Sequence, residues 1–393
     1  GLALPDGIAP AAAQKTGEAA PEVNAWVVVR PDDTCVIRIA RSEMGQGTHT
    51  GLAQLVAEEL ECDWSKVRLE MVTAHQNHAR KRAWGEMSTG GSRGIRTSQD
   101  YVRRGGAAAR MMLLQAAAEQ WKVPVAELTV ANGIITHGAS KRTVSYGKVA
   151  AAAAKLTPPD PKGITLRSPK DWKLAGKPVK RLDTAPKLNG SMKYAIDLKM
   201  PGMLCAAIKD SPVFGGKVKS IDEAKVAGRP GVKKVVKVGE TAVAVIADTW
   251  WRAKTALDAL PIEWDEGANA RESSATIAAR LKEGLDTKDA YVNRSNGDVG
   301  QALASAARKV EAVYSTPFLA HATMEPMNCT VHVRADGCEV WTGAQVVARA
   351  KATAVAVTGL PPDKVVVHNQ YLGGGFGRRL DVDYVTQAVR IGQ

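Results

Sequence analysis

The sequence predicts an α+β chain, and three observations carry that expectation. Lys364-Val365-Val366-Val367-His368 reads as a buried strand, Tyr371 to Arg379 as a glycine-rich loop, and Val382 to Ile391 as a helix. Near the start, Trp26 to Arg30 and Cys35 to Ile39 bracket Pro31-Asp32-Asp33 as a hairpin, with a helical pattern behind it. Between about Lys177 and Trp264 the composition resets into a separate module of strands and one helix. A length of 393 residues suits two or three domains.

Residues 1 to 22, rich in Ala, Gly and Pro, are expected to lack a regular fold. After the hairpin, Gly45-Gln46-Gly47 leads into Thr50 to Leu60, where Leu52, Leu55, Val56 and Leu60 keep a helical spacing. Glu58 and Glu59 are expected on the solvated face of that helix. Lys66 to Met71 alternates as a strand, and a polar loop with His75 and His78 follows. No Cys or carboxylate accompanies these histidines at ligand spacing, so they read as loop surface. Ser88-Thr89-Gly90-Gly91-Ser92 precedes a long helix from Ser98 to Trp121 and suits either an oxyanion or a simple N-cap. Val130 to His137 reads as a hairpin over Asn132-Gly133, Val144 to Leu156 as a helix, and Pro158, Pro159 and Pro161 as a linker.

In the central module, Val232 to Val238 and Ala242 to Asp248 are expected strands and Trp250 to Leu260 a helix. Trp250 and Trp251 are expected in an interface or a core. Residues 265 to 308 read as a polar connection with two helices. Strands are expected at Lys309 to Ser315 and Cys329 to Val333, with Asp336-Gly337 turning into Glu339-Val340-Trp341. No internal repeat stands out.

The content of 45% hydrophobic and 24% charged residues is that of an ordinary globular chain. No apolar run approaches the about 18–20 residues that span a membrane. The net charge of +13 admits nucleic acid or an anionic surface as partner, but the charge is dispersed. The densest cluster, Arg80-Lys81-Arg82 with Trp84, makes no stacking platform in a basic groove. None of the five cysteines lies in a Cys-x-x-Cys pair, which argues against an iron–sulfur cluster or structural zinc held by this chain. The opening GLALPDGIAPAAAQ resembles the end of a processed export signal, or else a trimmed or irregular start. The periplasm is the expected location, the cytoplasm otherwise.

Four glycines in five positions, Gly373 to Gly377, let a backbone approach a ligand and aim several N–H groups at one anion. A P-loop would need Lys-Ser/Thr after Gly377, and a dinucleotide fingerprint starting at Gly375 would need Gly or Ala at Leu380. From the residues alone, oxyanion binding and a tightly packed turn both remain open.

The string Gly373-Gly374-Gly375-Phe376-Gly377-Arg378-Arg379 resembles the pterin-contacting loop of the xanthine oxidase family of molybdenum hydroxylases. Trp341-Thr342-Gly343-Ala344-Gln345, His321 to Pro326, and Glu43 to Gly51 match the same family. The last of these precedes the glycine loop here and follows it in xanthine dehydrogenases. That permuted order is similar to the large subunit of isoquinoline 1-oxidoreductase and of bacterial aldehyde and nicotinate dehydrogenases. The resemblance implies two molybdopterin-binding halves, residues 23–160 and 309–393, the second incomplete. Between them it implies a linker at 161–176, an α/β hammerhead domain at 177–265 and a connecting segment at 266–308.

The resemblance also implies a cofactor and roles. The cofactor is molybdopterin cytosine dinucleotide with molybdenum, contacted by Gly45, Gln46, Gly47, Thr89, Gly90, Gly91, Ser92, Gln345, Gly374, Gly375, Phe376, Gly377 and Arg378. Gln345 would donate to the apical metal ligand and Phe376 would shape the pocket beside it. Gly375 and Gly377 would offer backbone N–H groups to its oxo ligands, and Gln46 a donor to the pterin or its phosphate. No protein side chain would ligate the metal. The reaction implied is hydroxylation of an aldehyde or N-heteroaromatic carbon using water. Electrons would pass to a subunit with two-iron two-sulfur clusters, and a cytochrome c is one acceptor. The family's catalytic glutamate has no match in this chain, so the rest of the molybdenum domain is expected on a second polypeptide, or beyond a nick or a truncation. Leu380 stands where xanthine-specific members carry glutamate, which argues against xanthine as substrate. Glu325 is expected to be structural.

Overall fold

The computed structural model describes residues 20–393. Most of the segment expected to be irregular, residues 1–19, lies outside the described residues. Two compact units emerge, one of Gly1–Gly202 with His321–Gln393 and one of Met203–Ala320.

The first unit contains one topology twice. Val27–Val29 and Cys35–Ile39 form the predicted hairpin, and the helix Thr48–Leu60 crosses over to Val67–Met71, parallel to Cys35–Ile39. Thr330–Arg334 and Gly337–Thr342 likewise pair antiparallel, and the helix Val347–Thr358 crosses over to Val365–Asn369, parallel to Gly337–Thr342. Parallel neighbours need such a crossover, and β-branched runs with both faces covered suit them. The repetition escaped the sequence because it lies in strand order, which unrelated side chains can share.

Each half has its own core. Val27, Ile37, Leu52, Val56 and Leu113 centre the first, and Val340, Val347, Val365 and Val385 the second. The helix Gln99–Trp121 lies against Thr48–Leu60 at close range. A Cβ at Gly106 would meet the Val56 carbonyl oxygen at 2.5 Å, so only glycine allows that approach. Leu128–Ala131, Ile134–His137 and Arg142–Ser145 form a further antiparallel sheet. Its predicted Asn132-Gly133 turn has φ of 50° and 75°, the left-handed pair a two-residue hairpin requires.

The second unit pairs Val232–Val238, Ala242–Ala247 and Cys205–Asp210 in one sheet and Ile262–Asp265 with Lys217–Ile221 in another. The helix Trp250–Asp258 buries Ala253, Ala256 and Leu257. Among the described residues no helix is long and apolar enough to cross a membrane.

Several expectations are corrected. Glu58 and Glu59 are buried, not solvated. Glu58 accepts the N–H groups of Lys173, Leu174 and Ala175, and Glu59 accepts from Arg103 and the Arg167 N–H. Two carboxylates therefore hold residues 167–175 onto the helix. Helical periodicity could not reveal partners 44 to 117 residues away. His75 and His78 sit on the helix Ala74–Ala79 rather than a loop, because Thr73 and Gln76 form a capping box. The strand Arg142–Ser145 was absent from the sequence reading, and the helix after it spans Tyr146–Ala153. Residues 309–315 join no sheet. Trp250 and Trp251 are 55% and 69% exposed, so neither is core.

Candidate functional site

Loops leave the carboxyl ends of Cys35–Ile39, Gly337–Thr342 and Val365–Asn369, where open α/β sheets gather ligands. They meet at Gln345, which is 3% exposed. Its main-chain N–H donates to the Arg379 carbonyl at 3.0 Å, and its carbonyl accepts from the Thr89 N–H at 2.7 Å. Its side-chain Nε2 donates to the Thr89 carbonyl at 2.9 Å, and Oε1 accepts from the Arg379 N–H at 3.3 Å. Ser42 adds the third loop. Its N–H donates to Thr89 Oγ1 at 2.8 Å, its Oγ donates to the Ala344 carbonyl at 2.7 Å, and Asn369 donates to that Oγ at 3.2 Å. The Leu372 N–H donates to the Glu43 carbonyl at 3.2 Å. The runs Gly45–Gly47, Thr89–Ser92 and Gly374–Gly377 thus belong to one hydrogen-bonded cluster.

Their chemistry differs. The N–H groups of Gly374, Gly375, Phe376 and Gly377 find no acceptor among the described residues. Gly374 and Gly377 have φ of 106° and 88°, and Phe376, at 51°, is a non-glycine in the left-handed region. Successive N–H groups with left-handed residues among them make an anion-binding concavity. Phe376 is 66% exposed. A Cβ on Gly375 would lie 2.2 Å from Met44 Sδ and 2.9 Å from Gln345 Oε1.

In the first run, by contrast, a carboxylate already fills the concavity. Glu43 accepts from the N–H groups of Gly45 at 2.9 Å, Gly47 at 3.0 Å and His49 at 3.0 Å. Arg181 pairs with Glu43 at 3.2 Å and donates to the Gly45 carbonyl at 2.7 Å. Asp183 grips Arg181 from the other side, and that guanidinium holds the Asp183 carboxyl far below the usual carboxylate range. Gln46 turns back on its own loop, accepting from the Met44 N–H and donating to the Ser42 carbonyl. An amide carries two N–H bonds, so Gln46 and Gln345 each keep one for another acceptor.

In the second run Thr89 is buried, while Gly91 and Ser92 are exposed with φ of 58° and 53°. The N–H groups of Gly90, Gly91 and Ser92 find no acceptor among the described residues. This run does not open a helix directly, contrary to expectation. Turns intervene before Gln99–Trp121 begins. On the far side of Ser88 and Arg93 lies a cavity of about 750 Å³, walled by Trp26, Trp84, Met87 and Tyr101.

Arg378 gives its guanidinium to Asp383 in two bonds of 2.9 and 2.8 Å. The neighbouring Arg379, fully buried, donates to the carbonyls of Gly343, Gly374 and Glu325 and pairs with the Glu325 carboxylate at 3.0 Å. Glu325 also accepts from the N–H groups of Gly373 and Ile196. Glu325 is therefore a brace for the loop, as expected. Arg379, Arg181 and Asp183 were missed as site residues. The doubled arginine was a signal for the first; nothing local marks the other two.

Burial pulls the His49 imidazole below its ordinary pKa, outweighing nearby Glu43, and its Nε2–H donates to the Arg41 carbonyl at 2.8 Å. The unfolded chain therefore takes up this proton at a higher pH than the folded one. Stability from this group is complete above about pH 6.5 and declines as pH falls below it. His49→Gln is expected to flatten the pH dependence of the unfolding free energy between about pH 7 and 5. An unchanged slope in urea titrations would refute this. Among the described residues no three His, Cys, Asp or Glu side chains are grouped to hold a metal ion.

A family model described as molybdopterin cofactor-binding domain matches residues 4–196, and a second of the same description matches residues 283–391. The chain belongs to the xanthine oxidase family of molybdenum hydroxylases. It is 30% identical over 433 residues to the beta subunit of isoquinoline 1-oxidoreductase from Brevundimonas diminuta, covering 98% of this chain and 55% of that one. It is 32% identical over 384 residues to a membrane-bound aldehyde dehydrogenase (pyrroloquinoline-quinone) of Gluconacetobacter polyoxogenes, covering 95% and 49%. It is 24% identical over 377 residues to a nicotinate dehydrogenase subunit of Pseudomonas putida, covering 94% and 31%. The chain thus spans about half the length, or less, of these curated relatives. Molybdopterin-binding halves from both ends of the chain supply the loops that meet at Gln345.

Proposed function

We propose that the chain seats a molybdopterin cofactor against Gly374–Gly377 and forms part of an oxidoreductase that hydroxylates an aldehyde or N-heteroaromatic carbon with water. One observation carries this: four consecutive N–H groups, unpartnered among the described residues, stand where two other glycine-bearing runs are hydrogen-bonded together through Gln345 and Ser42. The bound group would supply two-electron redox chemistry. This chain's part is to hold and orient it. The free amides of both open runs suit oxyanions, the spare N–H of Gln345 suits a neutral acceptor, and the exposed Phe376 ring stands among them. The residues fit such a group because these backbone donors bond to no carboxylate among the described residues; Glu43 is turned into its own loop.

On this reading the cofactor is the cytosine dinucleotide form, and the middle unit is the hammerhead domain. A second polypeptide, or further length of this one, supplies the catalytic glutamate. A subunit with two-iron two-sulfur clusters and an acceptor such as a cytochrome c complete the assembly. The names of two relatives, each one component of a larger enzyme, support such an assembly. The periplasm remains our proposed location. Nothing in the comparisons supports the alternative of a basic nucleic-acid-binding protein.

The test is elemental analysis and pterin fluorescence on the assembly purified through a tag on this chain. About one molybdenum per chain is expected, and Gly375→Val should lower it at least about tenfold. Thermal melting read alongside separates loss of cofactor from loss of fold. Wild-type protein carrying a quinone and no molybdenum would overturn the proposal.

A further inference from the structure

Residues 278–322 are exposed throughout, and 308–323 form neither helix nor strand. Val310, Val313, Tyr314, Phe318 and Leu319 are each 78–91% exposed. An apolar run this continuous on a surface marks an interaction site. Its pattern is specific. Val310, Ala312, Tyr314 and Thr316 fall on one face of an extended chain, and Lys309, Glu311, Val313 and Ser315 on the other. That is the alternation of a half-buried strand, and Pro317, with no N–H to give, ends it. Yet the backbone of 308–322 makes no hydrogen bond with any described residue.

We infer that Lys309–Thr316 is an unpaired strand that adds to an open sheet edge in the polypeptide length this chain does not span. Two facts choose that occupant. The stretch lies inside the match to a molybdopterin cofactor-binding domain, residues 283–391, yet stays exposed and unpaired with any described residue. The chain also covers 55% and 49% of the two relatives it matches over nearly its whole length. The partner edge must offer free N–H and C=O groups, and an apolar surface beneath Val310, Ala312 and Tyr314. The inference rests on the reading that further polypeptide completes the cofactor domain.

Hydrogen exchange tests it, comparing residues 1–393 alone with the whole assembly purified through a tag on this chain. Amides of 310–316 should exchange at unprotected rates in the isolated chain and at least about a hundredfold more slowly in the assembly. Tyr314→Asp should return them to the fast rate, whereas Glu311→Gln, on the outer face, should leave them protected. Fast exchange in the wild-type assembly overturns the inference. So does protection in the isolated chain accompanied by a dimer mass, which would make a second copy the partner. Molybdenum measured on the same sample separates the two proposals: protection without molybdenum sinks the cofactor reading alone, and molybdenum without protection sinks this one alone.

Discussion

Arg379→Ala is expected to lower the unfolding free energy by about 3–5 kcal/mol, because removing one partner leaves a buried carboxylate uncompensated. Glu325 is that carboxylate, and the pair's side chains are 0% and 5% exposed. The Gly374 carbonyl loses its donor as well, while those of Gly343 and Glu325 keep the hydroxyls of Tyr384 and Thr323. The neighbouring Arg378→Ala should change stability by no more than about 1 kcal/mol, since its Asp383 partner is solvent-facing. Urea midpoints at constant m-value decide the matter. Equal losses in the two variants would contradict the roles assigned to the paired arginines.

Glu43→Ala is expected to cost about 1–3 kcal/mol, because the buried His49 N–H is left unpaired. The more open Gly45 and Gly47 amides lose the same acceptor, while Arg181 keeps Asp183 and the Gly45 carbonyl. The sign of the effect on the loop is also fixed. Freed from the carboxylate, the Gly45, Gly47 and His49 amides should exchange with solvent far faster, and the crossover helix should fray at its start. Glu43→Gln keeps one acceptor oxygen and should fall between wild type and the alanine variant. Unaltered exchange at Gly47 in the alanine variant would show that the carboxylate does not organise this turn.

Much of the architecture was legible because short-range chemistry dictates it. Short continuous apolar runs placed Val365–Asn369 and Cys35–Ile39, and 3.6-residue spacing placed Thr48–Leu60. Asn132-Gly133 named its own turn. What misled the reading were groups whose environment depends on distant chain. Glu58 and Glu59 look like a solvated pair until residues 167–175 arrive to use them. Lys309–Ser315 has a strand's composition, but a strand exists only beside another.

The candidate site divides in the same way. Its glycines announced themselves, because only glycine tolerates such backbone and such crowding. Which glycine run offers free N–H groups was not written in the motifs. Gly45–Gly47 and Gly374–Gly377 look alike as strings, but Glu43 closes one concavity and the other stays open. The sequence by itself determined the elements, the flexible turns and the family. Only the tertiary structure decided which turns meet, and which donors remain unsatisfied. Hydrogen-bond geometry acts between atoms in space, so residues 43 and 181, or 89 and 345, become partners only once the chain has folded.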